Sequence, residues 1–275
     1  MVRYSKLPFR RLVSDYAVDL TYTPMLVAKE FTRHPYARYT DFSTNSGDSP
    51  LIAQFAAKDP VTLSRAAEMV APYVDGVDLN CGCPQTWACQ EGIGAGLMKS
   101  PQLVRDMVRA VKARVGQDFC VSTKIRIHSD LRQTVEFVRQ VESAGVDFIS
   151  VHGRLKTQRS STPPNLEAIA LVKATVRCPV VANGDVYSLN DIKKIVGATQ
   201  VNGVMAARGL LTNPALYSGY ERTPWGCVER YVDYALSYGS NCHIFQHHLV
   251  DMAADVFTKK GMSIYSLLLM KNNAS

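Results

Sequence analysis

Short apolar runs rich in β-branched residues recur along the chain and alternate with longer segments of helical period. Because apolar residues occupy both faces of each run, the runs are typical of buried strands in a parallel sheet. The alternation with helical segments predicts right-handed strand–helix–strand units. Seven runs are predicted as strands, namely Leu20–Leu26, Pro50–Ala56, Gly76–Asn80, Cys120–Ile127, Val146–His152, Pro179–Asn183 and Val201–Ala207.

The segments between the runs carry helix signals at their ends. Asp59 and Ser100 each precede a proline, an arrangement that predicts an N-cap followed by the first helical residue. Gly145 ends another helical segment, as a C-terminal stop. From about Arg222 no further strand is predicted, and two amphipathic stretches indicate a short C-terminal pair of helices.

The number of strands bears on the architecture. A closed parallel α/β barrel needs eight strands, whereas seven runs are found. The chain opens with a helical stretch, "SKLPFRRLVSDYA", so that a further strand would have to lie before Met1. The pattern leaves two α/β architectures open: an open doubly wound sheet, or a (β/α)₈ TIM barrel whose first strand is missing from this chain.

Composition narrows the class of protein and its surroundings. The 275 residues carry a formal net charge of +7, which makes a polyanionic partner plausible. The seven cysteines, an odd number, argue for a reducing compartment, and we expect a cytoplasmic location, with the nucleus as a second compartment. No apolar run approaches the ~20 residues that span a bilayer, so we expect no membrane segment. We also expect a monomer.

Polar residues stand near the carboxyl ends of the predicted strands, where the active sites of parallel barrels lie. These residues are Gln54, Asn80, Lys124, His152, Asn183 and Arg208. Side-chain amides present both donors and acceptors, which suits the edge of a flavin or a uracil, and a lysine nearby can stabilise negative charge on a reduced ring. The set therefore predicts a site for a planar heterocycle.

The last two strands end in "ANGD" and "AARG", at positions where barrels commonly bind phosphate through backbone N–H groups and a nearby helix N-terminus. Gly184 and Gly209 permit close approach of the backbone. Arg208 adds a charged clamp. Together with the strand ends, these segments predict a site for a phosphorylated planar ring.

The stretch "DLNCGCPQTWACQEGIGAGLMKSP" raises three alternatives. A metal site is disfavoured, because the cysteines lack paired CxxC spacing and no histidine is near. A dinucleotide-binding turn is disfavoured, because the glycines of 92–96 lie outside the first strand–helix unit. A glycine-rich loop over the mouth of the barrel is the remaining interpretation, and no metal is expected.

Motifs along nearly all of the chain resemble those of one enzyme family. "VDLNCGCPQTWACQEGIGA", with "PLIAQFAA", "KIRIH", "VHGR", "VVANGD" and "GVMAARGLLTNPALY", resembles the tRNA-dihydrouridine synthases, and the form "NCGCPQ" resembles the eukaryotic branch acting on uridines 20a and 20b of the D-loop. The resemblance implies an FMN-binding TIM barrel at 1–218, lacking its first strand, and a helical tRNA-binding domain at 219–275, shortened at its end. It also implies reduction of the uracil C5=C6 bond, with NADPH or NADH as the reductant of FMN.

The resemblance further assigns individual residues. Asn80 corresponds to the asparagine that faces the target uracil. The residues that correspond to flavin contacts are Met1, Gln54, Lys124, His152, Asn183, Gly184, Asp185, Ala207 and Arg208.

The proton donor is the point where the sequence departs from the family pattern. The resemblance implies a cysteine in a "GAC-L" context, and Gly96 occupies that position in "GAGLM". Cys89 is a weak substitute candidate, and Cys83 is expected to be a structural thiol beside the flavin. A second hypothesis is therefore a catalytically impaired relative that binds flavin and tRNA. A third is a barrel flavoenzyme for free pyrimidines, resembling dihydroorotate dehydrogenases, which the basic charge and the helical tail disfavour.

Overall fold

Parallel pairing joins eight strands into one sheet, with helices between them. The computed structural model describes residues 3–254. The strands are β1 (Thr21–Tyr22), β2 (Leu26–Val27), β3 (Leu51–Ala56), β4 (Gly76–Cys81), β5 (Cys120–Arg126), β6 (Phe148–His152), β7 (Val180–Asn183) and β8 (Gly203–Met205). The helices are α1 (Leu7–Ser14), α2 (Ala28–Arg33), α3 (Pro35–Asp41), α4 (Pro60–Val70), α5 (Thr86–Gln90), α6 (Pro101–Val115), α7 (Leu131–Glu142), α8 (Leu166–Thr175), α9 (Leu189–Thr199), α10 (Arg208–Thr212), α11 (Trp225–Tyr238) and α12 (Cys242–Met252).

Neighbouring strands follow one another in chain order from β3 to β8, and β1 and β2 both pair with β3. All of these pairs are parallel. Within residues 3–254, β8 and β1 do not pair with each other. The predicted α/β fold, a barrel-type parallel sheet without a closing strand and followed by C-terminal helices, is confirmed for this part of the chain.

The predicted run at 20–26 is the one that the structure divides. Thr21 and Tyr22 pair with Leu51 and Ile52, and pairing resumes only at Leu26. Pro24 lies between the two pieces, and proline has no N–H to donate to a strand ladder. The prediction of one continuous strand here was therefore wrong, whereas the other six runs each contain a strand.

The predicted helix ends are confirmed in position, although Ser100 makes no side-chain cap. The Asp59 carboxylate accepts a hydrogen bond from the backbone N–H of Thr62 at 2.8 Å, as an N-cap should. Gly145 has φ +89° and follows α7 closely, which suits glycine. Helix α6 begins at Pro101 with Ser100 in the N-cap position, as predicted. The Ser100 side chain makes no capping hydrogen bond, and its backbone at φ −132°, ψ 65° lies outside the usual extended conformation of an N-cap.

The free sides of β8 and β1 are covered by side chains rather than by a strand. The Tyr217 hydroxyl donates to the carbonyl of Val204 at 2.7 Å and accepts from the N–H of Ala206 at 3.0 Å. On the other side, the Ser5 hydroxyl donates to the carbonyl of Tyr22 at 2.6 Å. These bonds satisfy backbone groups that an exposed strand edge would leave unpaired.

The C-terminal helices pack against the rest of the fold. Helix α11 lies on α1, and α12 lies on α10 and α11. The His248 ring is fully buried and stacks on Phe9, with ring centroids 4.3 Å apart. The boundary predicted at residue 218 stays a prediction, and residues 255–275 of that segment lie outside the described residues, as does Met1. We find no helix within 3–254 that has the length and apolar character to cross a membrane.

Candidate active site

The strand register places predicted site residues in two pairs near the carboxyl ends of the strands. Asn80 on β4 pairs with Lys124 on β5. His152 on β6 lies opposite Asn183 on β7, which in turn lies opposite Met205 on β8. Lys124 lies opposite Ser150, and Arg126 lies opposite His152, so the two pairs are displaced from each other by two residues along the strands. All four residues stand towards the carboxyl ends of parallel strands, which lie at the same end of the sheet.

The first group of polar residues lies on β3 and β4. Gln54 Nε2 donates to Asp78 Oδ2 at 2.9 Å, and Asn80 Nδ2 donates to Gln54 Oε1 at 3.0 Å. Asp78 is completely buried, and its other oxygen accepts from the Ser122 hydroxyl at 2.7 Å. Gln54 and Asn80 are therefore held together in a hydrogen-bonded chain.

Lys124 lies beside this group and contacts the next strands. Its Nζ donates to Asn183 Oδ1 at 2.9 Å, and Asn183 Nδ2 donates to the carbonyl of Met205 at 2.9 Å. Burial lowers the pKa of Lys124 to about 8, with Arg126 acting in the same direction and with the carboxylate of Asp78 and Cys83 opposing it. Lys124 is thus a cation in the neutral range that loses its proton in mildly alkaline solution.

The second group is built around the buried guanidinium of Arg154. Nη1 of Arg154 donates to His152 Nε2 at 3.2 Å, and Nη2 pairs with the carboxylate of Asp185. Because a guanidinium only donates, His152 Nε2 must accept, and the ring proton is on Nδ1. Burial lowers the pKa of His152 to about 2, and Lys124, Arg126, Arg154 and Arg208 contribute in the same direction. The ring is therefore neutral at physiological pH.

Asp185 also binds the second arginine of this group. Its Oδ1 accepts from Arg208 Nη2 at 2.7 Å, and the Arg208 guanidinium lies 5.6 Å from the ring centroid of Tyr187. The backbone of Asp185 is left-handed, with φ +49°, a region that aspartate tolerates better than most residues. One carboxylate thus holds two guanidinium groups at the end of β7.

A cavity of about 410 Å³ opens at this end of the sheet and falls within the size range of small-molecule sites. Its polar lining includes His152, Arg126, Arg154, Asp185 and Arg208, and the predicted residues Asn183, Gly184 and Ala207 also line it. Gln54, Asn80 and Lys124 do not line this cavity, although they stand at the same end of the strands.

Two glycines make the close backbone packing here possible. A Cβ added at Gly209 would lie 2.0 Å from the carbonyl oxygen of Val186, and one added at Gly184 would lie 2.9 Å from Pro164 Cβ. Gly184 also has φ +137°. Both positions therefore require glycine. This agrees with the prediction that the backbone approaches closely at the two segments expected to bind phosphate.

The cysteine-rich loop begins beside the first group. The N–H groups of Gly82 and Cys83 both donate to Asn80 Oδ1, at 3.0 and 2.8 Å. Arg126 Nε donates to the carbonyl of Gly82 at 2.9 Å. Cys83 is half-buried, adjoins the cavity-lining residue Pro84, and interacts electrostatically with Lys124 and Arg126. The backbone at Cys83 is therefore fixed beside the predicted site.

Gly96 and Cys89 face each other on the outer part of the loop. A Cβ added at Gly96 would lie 3.3 Å from the carbonyl oxygen of Cys89 and 3.6 Å from its Cα. The Cys89 thiol donates to the carbonyl of Cys83 at 3.8 Å. A side chain at position 96 would thus begin against the backbone of α5.

A family comparison identifies the fold and its motifs. The dihydrouridine synthase (Dus) family matches residues 1–270. The chain belongs to this family. It is 56% identical over 260 residues to the tRNA-dihydrouridine(20a/20b) synthase [NAD(P)+] of Schizosaccharomyces pombe, covering 94% of this chain and 79% of that protein. The corresponding Saccharomyces cerevisiae protein is 45% identical, with 100% and 76% covered. The predicted resemblance is confirmed.

Solved structures with distant sequences share the fold of this Dus protein. Morphinone reductase in complex with tetrahydroNAD superposes with a TM-score of 0.56 at 10% identity, covering 84% of this chain and 88% of that one. A variant of NCR from Zymomonas mobilis gives a TM-score of 0.55 at 11% identity, with 82% and 83% covered. At such identities the likeness concerns the fold alone.

Three residues of this Dus site were missed by sequence reasoning: Asp78, Arg126 and Arg154. Arg126 follows Lys124 by two residues and so faces the same side of β5, a period-2 signal that could have found it. Arg154 follows His152 by two residues in the same way, just beyond β6. Asp78 gave a weaker signal. It is a carboxylate inside an apolar run, and charged residues are rarely buried unless they have partners.

Proposed function

We propose that this protein is a tRNA-dihydrouridine synthase that reduces the C5=C6 bond of uridines in the tRNA D-loop, with FMN as its cofactor and NADPH or NADH as the reductant. The reaction is named by its relatives, whose chains it matches over most of their length. We further propose that it acts as a monomer in the cytoplasm, with the nucleus as a second compartment, and that residues 219–275 contribute to tRNA binding. Uridines 20a and 20b are the targets that its relatives' names suggest.

The observation that carries the proposal is the joint position of an amide pair, a cationic lysine and an arginine-lined cavity at one end of the sheet. These residues fit FMN. Arg154 and Arg208 would hold the phosphate, since guanidinium groups match its geometry. Gln54, Lys124 and Asn183 offer the donors and acceptors that a flavin ring requires. FMN, when bound, supplies hydride to uracil C6.

The chain's own residues would bind the uracil and move the proton. Asn80 orients the base through its amide, as the family resemblance implies. We assign the proton donor for C5 to Cys83 rather than to position 96 or Cys89, because Asn80 Oδ1 and Arg126 fix the Cys83 backbone beside the strand ends. Lys124 and Arg126 are the cationic side chains that interact electrostatically with Cys83.

Turnover of the purified full chain tests this function. The protein is saturated with FMN and supplied with NADPH or NADH and a tRNA transcript, and dihydrouridine is located by mass spectrometry of nuclease fragments. We expect reduction in the D-loop, and none at 20a and 20b in a matched transcript that carries cytidine there. A chain that binds FMN yet reduces no uridine in either transcript would contradict the proposal and favour the impaired relative.

The pKa of Lys124 predicts how flavin reduction depends on pH. Only the protonated lysine stabilises negative charge on the reduced ring, and its pKa of about 8 lies within the measurable range. We therefore expect the rate of FMN reduction by NADPH to be constant at about one pH unit and more below this pKa, to fall to about half at pH 8, and to decrease further above it. Stopped-flow absorbance measures the rate. Lys124→Arg should keep the cation and remove the fall, and a wild-type rate unchanged up to pH 9.5 would rule out this role.

A further inference from the structure

The carboxyl group of Asp78 is buried and has no role in the proposed reaction. It lies on β4, two residues before Asn80, and its side chain is inside the sheet with no exposure to solvent. Both of its oxygens are engaged, one by the Ser122 hydroxyl at 2.7 Å and one by Gln54 Nε2 at 2.9 Å. Buried carboxylates are costly to desolvate, so that a buried one calls for a reason.

The hydrogen bonds of Asp78 have a fixed polarity. An ionised carboxylate only accepts, so Gln54 must turn its NH₂ group towards Asp78 and its oxygen away. That oxygen accepts from Asn80 Nδ2 at 3.0 Å, and Asn80 must then turn its own oxygen towards the loop. There Asn80 Oδ1 accepts from the N–H groups of Gly82 and Cys83. The two ends of a side-chain amide have nearly the same shape, so only the partners decide which end points where.

The hydrogen bonds to Asp78 come from both neighbouring strands. Burial raises the pKa of this carboxyl, while the hydrogen bonds from Ser122 and Gln54 and the charge of Lys124 act to lower it. The same three neighbours lie on β3 and β5, the strands on both sides of β4. Both carboxyl oxygens of Asp78 thus accept hydrogen bonds, one from Gln54 on β3 and one from Ser122 on β5.

We propose that Asp78 is a positioning residue, which fixes the amide orientations of Gln54 and Asn80 and through them the place of the Cys83 backbone. The link to flavin and uracil rests on the proposed function, since Gln54 and Asn80 are assigned to these ligands there. The direction of the hydrogen bonds that link Asp78 to Cys83 does not rest on the proposed function, because it follows from contacts within this protein.

An exchange of the two middle partners tests the polarity. In Gln54→Glu combined with Asp78→Asn, the new asparagine donates to the new glutamate, which still accepts from Asn80, and the net charge is unchanged. In Gln54→Met the chain is interrupted in the middle by a side chain of similar length with no polar hydrogen. The rate at which iodoacetamide alkylates Cys83, followed by peptide mass spectrometry, reports whether its backbone is still held.

We expect Gln54→Met to increase the alkylation rate about fivefold or more, the factor that one lost hydrogen bond corresponds to. The exchange variant should return the rate to that of the wild type. Each protein is measured saturated with FMN, with occupancy checked by absorbance, and again without flavin, so that flavin loss is not mistaken for release of the loop. Neither measurement needs tRNA or turnover, so failure of the proposed function would not affect the result.

Thr123→Val serves as the matched control. Thr123 lies between Ser122 and Lys124 on β5, its hydroxyl is buried without a hydrogen-bond partner, and it takes no part in the chain from Asp78. Its replacement should leave the alkylation rate as it is. A wild-type rate in Gln54→Met, or an exchange variant that behaves like Gln54→Met although both give wild-type circular dichroism and melting curves, would overturn the proposal. If Gln54→Met does not fold, the exchange variant alone decides: alkylation as in the wild type supports the proposal, and faster alkylation overturns it.

Discussion

Replacement of Cys83 by alanine is expected to lower the rate of uridine reduction about 10²–10⁴-fold, the contribution of a well-placed general acid. FMN binding and FMN reduction by NADPH should be unchanged, because neither needs a proton at uracil C5. Single-turnover mixing of the reduced enzyme with tRNA measures the affected step, and absorbance titration measures flavin binding. The loss corresponds to about 3–5 kcal/mol of activation free energy.

The structural reason for this expectation is how firmly the loop holds position 83. Its N–H is bound by Asn80, and its carbonyl accepts from the N–H of Ala95 at 2.9 Å. Gly94 allows the following turn to lie over it, because a Cβ at Gly94 would be 2.9 Å from Cys83 Cβ. An acid held on both sides of its own peptide is suited to repeated proton transfer at one place.

Two further variants separate Cys83 from the positions that the sequence favoured. Cys89→Ala should react like the wild type, because the Cys89 thiol is engaged with the carbonyl of Cys83 and is not the assigned proton donor. Gly96→Cys should also leave the rate unchanged, although its Cβ would be tight against the Cys89 carbonyl oxygen at 3.3 Å. If Cys83→Ala retained full activity, the assignment would be wrong, and a gain of two decades or more in Gly96→Cys would support the impaired relative instead.

The strand ends could be predicted from the sequence, because parallel strands place their carboxyl ends on one side whatever the details of packing. Asn80, Lys124, His152 and Asn183 accordingly lie towards the carboxyl ends of four neighbouring strands, in two pairs that are two residues apart in register. Their roles towards flavin and uracil stay predictions. The sequence pattern could not predict which way side-chain amides point. The orientation of the Gln54 amide, for example, depends on the carboxylate of Asp78 on the neighbouring strand.

Local chemistry explains the one strand that was predicted wrongly. The run at 20–26 is apolar enough for one strand, yet Pro24 interrupts its ladder, and apolar period alone does not register a missing N–H. The identity of the proton donor stays a prediction, and the attention to Gly96 came from comparing a single motif position with the family pattern. The geometry that favours Cys83, a backbone fixed by Asn80 and Arg126, depends on residues from two strands.

Neutralising Asp185 is expected to destabilise the protein and to make its stability depend on FMN. In Asp185→Asn the guanidinium of Arg154, which is 2% exposed, loses its charged partner, and Arg208 loses its own. Removing one member of a buried pair typically lowers the free energy of unfolding by about 3–5 kcal/mol. Because Asp185 is partly exposed, we expect a loss of about 3 kcal/mol. Thermal melting without flavin should show a Tm lower by roughly 5–10 °C. Asparagine tolerates the left-handed backbone at this position, so that strain adds little.

The flavin phosphate should replace the missing carboxylate charge, because both arginines line the same cavity. FMN is therefore expected to raise the Tm of Asp185→Asn more than that of the wild type, whereas riboflavin, which has no phosphate, should raise both equally. Asp130→Asn is the matched control: it neutralises an exposed pair with Arg132 and keeps a good N-cap, so its Tm should hardly change. Equal rescue by riboflavin and FMN would show that these arginines do not bind the phosphate, and a Tm like that of the wild type would show that Asp185 does not support Arg154.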